Sequence, residues 1–142
     1  MTRVRTYLPL SSADVQALAA GNAIEPSAAF AVTERLASTH PGADVESLEY
    51  AAFLEAAAAA GRARGADSTA RRVIASVDVP PASVSEPARP EGQTPALVRL
   101  DTTVALRAVA SFHVDEQPGG TDDAHLLWFD ASEVLSVRQS LS

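Results

Sequence analysis

The sequence predicts one α+β domain over residues 1–142, built as a mixed sheet of about five strands with helices packed mainly on one face. Three observations predict it. The chain has 142 residues, close to the commonest size for one domain. The stretch "RRVIASVDVP" at 71–80 alternates, so Val73, Ala75, Val77 and Val79 share one side of an extended segment. Capping signals at Ser11 and Asp44 each open a run with helical character.

The elements follow in order. "TRVRTYL" at 2–8 sets Val4, Thr6 and Leu8 on one side and Arg3, Arg5 and Tyr7 on the other, a half-buried strand closed by Pro9. "SSADVQALAAG" starts a helix with Ser11 and Asp14 at capping-box spacing and Val15, Leu18 and Ala19 as its apolar stripe; Gly21 stops it. "SAAFAVT" at 27–33 reads as a buried strand, and "ERLAS" as a short helix ending before "HPG". Asp44 caps the longest helix, roughly 45–60, whose first turns carry Glu46 and Glu49 where the dipole favours negative charge; Gly61 is its expected end. After the strand at 71–80, five of nine prolines fall within residues 80–95, which predicts a solvated internal loop, with 82–94 the most mobile internal segment. Strands are expected at about 96–101 and 108–114, joined by one turn, then a loop "QPGGTDD", then a last strand "HLLWF" in which Trp128, with Leu127 and Phe129, anchors the last core layer. A Trp in that role would cost roughly 3–5 kcal/mol on truncation to alanine. Asp130 and Glu133 suggest a capping box for a short terminal helix.

Composition narrows function. There are no cysteines, which excludes disulfides, thiolate nucleophiles and thiolate metal sites. The net charge is −7, so nucleic-acid phosphate and anionic membranes are not expected partners. All eleven basic residues are Arg and alanine is abundant, the usage of a GC-rich genome; an Arg here is the basic residue at hand and not one selected over Lys. A signal peptide is not expected, because Ser11, Ser12, Asp14 and Gln16 interrupt its hydrophobic region. The run "AAAAA" at 56–60 is too short to span a bilayer, and the expected address is the cytoplasm.

The segments "RVRTYLPL", "AAFAVT", "ESLEYAA", "RRVIASVDVP", "FHVDE" and "LLWFD", in this order, resemble an uncharacterised family of small actinobacterial proteins classed as a domain of unknown function. The resemblance covers most of the chain. It implies a taxonomic home and no activity, and it carries over no catalytic residue. In that family a helix follows the His-Val-Asp segment; here the loop "QPGGTDD" stands in its place.

The strongest candidate constellation is His113, Asp115, Glu116, Asp122, Asp123 and His125. In an extended segment His113 and Asp115 point the same way, about 7 Å apart. His113, Asp115 and His125 have the order of a two-His, one-carboxylate metal site, or of a looser site for a divalent ion. The competing reading is a strand end passing into a solvated acidic loop. On it, His113 is exposed with a pKa near or somewhat above its usual 6.5. Acid–base chemistry could use His113 beside Asp115, or Glu49, which with Tyr50 sits among apolar residues. The cluster Arg62, Arg64, Arg71 and Arg72 follows a helix C-terminus, where the dipole favours cations. No nucleophile elbow, P-loop or dinucleotide fingerprint occurs.

The expected function is a small cytoplasmic, non-enzymatic module that binds a protein partner or a second copy of itself. The alternative is a metal-assisted or acid–base enzyme centred on His113 and Asp115. No cofactor is expected on the first reading, and a divalent metal on the second.

Overall fold

The computed structural model describes residues 3–67, 69–87 and 94–141. Seven strands form one antiparallel sheet: β1 (Val4–Leu10), β2 (Ala29–Phe30), β3 (Val73–Val79), β4 (Val84–Ser85), β5 (Leu97–Leu100), β6 (Val109–Asp115) and β7 (Leu126–Asp130). Their spatial order is β4-β5-β2-β1-β3-β6-β7, and every pairing is antiparallel. The expectation of a mixed sheet of about five strands is thus corrected in both number and direction. The missed strand, β4, is only two residues long and lies inside the proline-rich stretch, where short pairing leaves no period to read. A 3₁₀ turn, Pro81–Ser83, leads into β4. Residues 88–93 of the expected mobile loop lie outside the described residues.

The helices are α1 (Ser12–Ala19), α2 (Glu34–Thr39), α3 (Val45–Arg64) and α4 (Val134–Ser140). Local capping chemistry sets their starts. Ser11 accepts from the Asp14 N–H while Asp14 accepts from the Ser11 N–H, and Asp44 accepts from the Ser47 N–H. Asp130 and Glu133 form the reciprocal pair that opens the terminal 3₁₀ turn and α4. α3 runs past Gly61 to Arg64 and stops at Gly65, whose φ of +62° is a conformation other residues rarely adopt. Gly61 lies within the helix beside Arg72, whose Cδ would sit 3.8 Å from an added Cβ, an ordinary contact distance. β1 also continues through Pro9 to Leu10, where the sequence suggests a stop. β2 meets β1 only at Tyr7↔Phe30, so Pro9 lies where the ladder on that side has ended and a missing N–H is tolerated.

Both faces of the sheet are covered, not mainly one. Leu8 and Leu10 of β1, Val73, Ala75, Val77 and Val79 of β3, and Phe112 and Val114 of β6 pack with Val15 and Leu18 of α1 and Val134 and Val137 of α4. On the opposite face Tyr7, Phe30 and Ile74 pack with Leu36 of α2 and with Leu48, Ala52, Ala56, Ala57 and Ala60 of α3. Ala56, Ala57 and Ala60 of the alanine run therefore form an interface: small side chains let a helix lie close on a sheet. Among the described residues no helix is long and apolar enough to cross a membrane.

Trp128 does not anchor a core layer. Antiparallel register puts it opposite His113, on the α3 face, and it is 63 % exposed because α3 lies mainly over β2, β1 and β3 and covers the β6–β7 end only in part, through Phe53. Phe129, on the other face, packs against the core instead. Trp128→Ala is accordingly expected to cost less than about 1 kcal/mol, the range of surface substitutions with modest lost packing. Urea unfolding checks it; a loss of several kcal/mol would return the ring to the core.

A cleft between α3 and the β6–β7 end

The partly covered end of the α3 face forms a cleft of about 420 Å³. Two periodicities build it. Glu46, Glu49, Tyr50 and Phe53 are spaced i, i+3, i+4 and i+7, so one side of α3 presents all four. Across the sheet, register aligns Tyr7, Ser76 and Ser111 in one row and Ile74, His113 and Trp128 in the next. The rings run in series. Tyr50 stacks on Phe53 (centroids 6.3 Å apart), and Phe53 meets Tyr7 (5.9 Å) and His113 (4.9 Å) edge to face. Trp128 and Leu126 also line the cleft.

His113 lies on its floor. Its Nε2 is 3.1 Å from both Ser76 Oγ and Ser111 Oγ. Burial, aided by the positive charge of Arg5, lowers its pKa to about 4. The expectation of an exposed ring near or above 6.5 is corrected: α3, through Phe53, covers the face that was assigned to solvent. Tyr7 is pushed up to about 12, chiefly by burial and then by the charge of Glu49. At one end Arg5 donates to both carboxylate oxygens of Asp78, at 2.7 and 3.1 Å, across directly paired positions of β1 and β3.

Asp115 shares the face of His113 but not its surroundings. It is 2 % exposed and takes the Arg72 guanidinium through Nε and Nη2 (3.0 and 2.9 Å), the Arg72 N–H (2.7 Å) and Arg64 Nη1 (3.3 Å). Arg72 further reaches Asp123 at 2.6 Å, and Arg64 donates to the Gly120 carbonyl at 2.7 Å. These bonds fasten the loop after β6 to the end of α3 and the start of β3. The basic run at 62–72 is thus a clamp for carboxylates, with Arg64 and Arg72 as its jaws. Gly120 is part of the fit: a Cβ there would lie 2.8 Å from Asp115 Oδ1 and 3.2 Å from the Gln117 carbonyl. Asp115 is pinned and the carbonyl is backbone, so neither yields. Gly120→Ala is expected to destabilise by about 1–3 kcal/mol, and an unchanged urea midpoint would contradict the packing.

The residues singled out from sequence therefore separate. His113 and Glu49 meet at the cleft, with Tyr50 beside them. Asp115 is committed to the arginine clamp. His125 is exposed, 3.4 Å from Asp122. Among the described residues no group of three or more His, Asp or Glu side chains is arranged to hold a metal ion, so the His113, Asp115 and His125 set does not assemble. Sequence reasoning missed Arg5, Ser76, Phe53 and Trp128 as lining residues. The i, i+3, i+4, i+7 spacing of Glu46, Glu49, Tyr50 and Phe53 was a readable signal; the cross-strand rows were not, since they need the register.

Comparisons with curated proteins and with solved structures give no match to this chain. Comparison with family models gives one, which covers residues 4–121 and so takes in every strand but β7 and most of the cleft. The chain belongs to a family of unknown function (DUF6912).

Proposed function

We propose that this protein is a non-enzymatic binding module of the actinobacterial cytoplasm, and that the cleft between α3 and the β6–β7 end receives a group from a protein partner. One observation carries the reading: a concave, ring-walled site in which Arg5, Asp123 and His113 are already engaged, while Glu46 and Glu49 have no ion-pair partner among the described residues. Arg5 is held by Asp78, Asp123 by Arg72, and His113 by two hydroxyls. Concave sites walled by apolar and aromatic groups with a few fixed polar ones are where ligands bind. The all-Arg, alanine-rich composition supports the bacterial home, and the charge of −7 argues against nucleic acid or an anionic membrane as partner.

The enzyme reading keeps one specific support. His113 lies neutral on the cleft floor, where a base could work, although a pKa of about 4 makes it a weak one. Its intended companion is taken by arginine, and no described residue bonds His113 Nδ1 to orient the ring. A fragment set screened by amide chemical shifts tests the binding reading. Shifts gathered on Tyr7, Glu49–Phe53, His113 and Trp128 are expected. Shifts gathered elsewhere, or none, would remove the cleft as the site.

A further inference from the structure

We infer that the group this cleft takes is the guanidinium of an arginine side chain presented by a protein partner. The inference rests on the cleft being the binding site and adds the chemistry it selects. Of the four charged groups that line it besides His113, two are neutralised in place: Arg5 by Asp78, and Asp123 by Arg72. Glu46 and Glu49 remain. Neither forms an ion pair among the described residues, and they stand one turn apart on the side of α3 that faces the opening. The site thus carries an excess of negative charge with no internal counter-ion at bonding distance.

The walls decide which cation. Tyr50 is 56 % exposed and Trp128 63 % exposed, so ring surface is open on both sides of the mouth. A planar guanidinium stacks on such rings and meets a carboxylate through two parallel N–H donors, whereas an ammonium is a compact, strongly hydrated charge that gains less from either. The neutral floor, with His113 unprotonated at neutral pH, adds no repulsion.

The test uses the full chain and its single tryptophan, which lines the cleft at its margin. Three blocked amino acids are titrated at low salt: N-acetyl-arginine amide, the lysine equivalent, and the citrulline equivalent, which keeps the planar shape without the charge. The arginine probe is expected to bind about tenfold tighter than the citrulline one, the scale of a cation–π contact together with an exposed ion pair. The lysine probe should fall between them. Glu49→Gln and Glu46→Gln should each weaken the arginine probe several-fold, and raising the salt should weaken it further. Equal binding of arginine and citrulline probes would overturn the charge argument while leaving the cleft as a binding site. Tighter binding of lysine would overturn the choice of cation. Tighter binding of free arginine than of its blocked form would replace the protein partner by the amino acid itself. No response of Trp128 to the arginine probe, in a protein whose cleft still answers the fragment set, would overturn the inference and leave the binding reading standing.

Discussion

Asp115→Ala is expected to lower the free energy of unfolding by about 3–5 kcal/mol, the cost of removing one partner from a buried ion pair. The magnitude comes from what is left behind. Arg72 is only 5 % exposed, and Asp115 meets its guanidinium and its backbone N–H. Burial works to depress the Arg72 pKa, but the bonds to Asp115 and Asp123 outweigh it and hold the pKa above its ordinary value. Without Asp115, the guanidinium keeps only Asp123 among the described residues and the buried Arg72 N–H loses its acceptor. Replacing both partners by apolar residues of similar volume, Arg72→Met with Asp115→Leu, should cost much less than the two single changes added. Urea unfolding of the four proteins reads the cycle. Additive single effects would mean that the two side chains are independent, contrary to the clamp. The effect should also reach the cleft: Asp123, which lines it, is fixed by the same guanidinium.

How much of this was legible depends on the range of the interaction concerned. The caps were readable because each is a bond between residues three apart: Ser11 with Asp14, Asp44 with Ser47, Asp130 with Glu133. The division of β6 was readable too. Phe112 and Val114 face one side, Ser111 and His113 the other, as a period of two requires. What alternation could not say is what covers each side. With helices expected mainly on one face, the polar side of β6 is expected to meet water, and Trp128, with Leu127 and Phe129, to anchor the core. Once α3 is laid on the second face, His113 comes under Phe53 and Trp128 is left at the margin. His113 and Asp115 show the same limit at closer range. Two residues apart on one strand, they differ because Asp115 pairs with Arg64 at the C-terminal end of α3 and with Arg72 just before β3, whereas His113 faces the middle turns of α3. Chain spacing put them together, and the position of a helix over the sheet divided their roles.

That division gives His113 a signature in the pH dependence of stability. Its folded pKa is about 4, against an ordinary value of 6.5. Between these values the unfolded chain binds a proton at this ring and the folded chain does not. Stability therefore falls as the pH is lowered through that window, and His113 withdraws nothing above about 6.5, where the ring is neutral in both states. The full difference corresponds to about 3 kcal/mol, and partial exposure of the ring reduces it to about 2 kcal/mol. Other groups respond to acid as well: Glu55, whose pKa burial raises, and, below this window, the helix-capping Asp44 and Asp130, whose pKa values are lowered by hydrogen bonds from Ser47 and Ser132. A difference experiment removes them. In His113→Gln the amide can still meet Ser76 and Ser111 but binds no proton. The variant should be less stable than the parent at pH 7, where packing against Phe53 is lost, and should close most of that gap by pH 4 as the parent loses its neutral-ring advantage. Unfolding free energies measured from pH 7 to 4 decide it. Parallel curves would mean that the folded ring protonates at its ordinary pH, and that α3 does not shield the floor of the cleft from water.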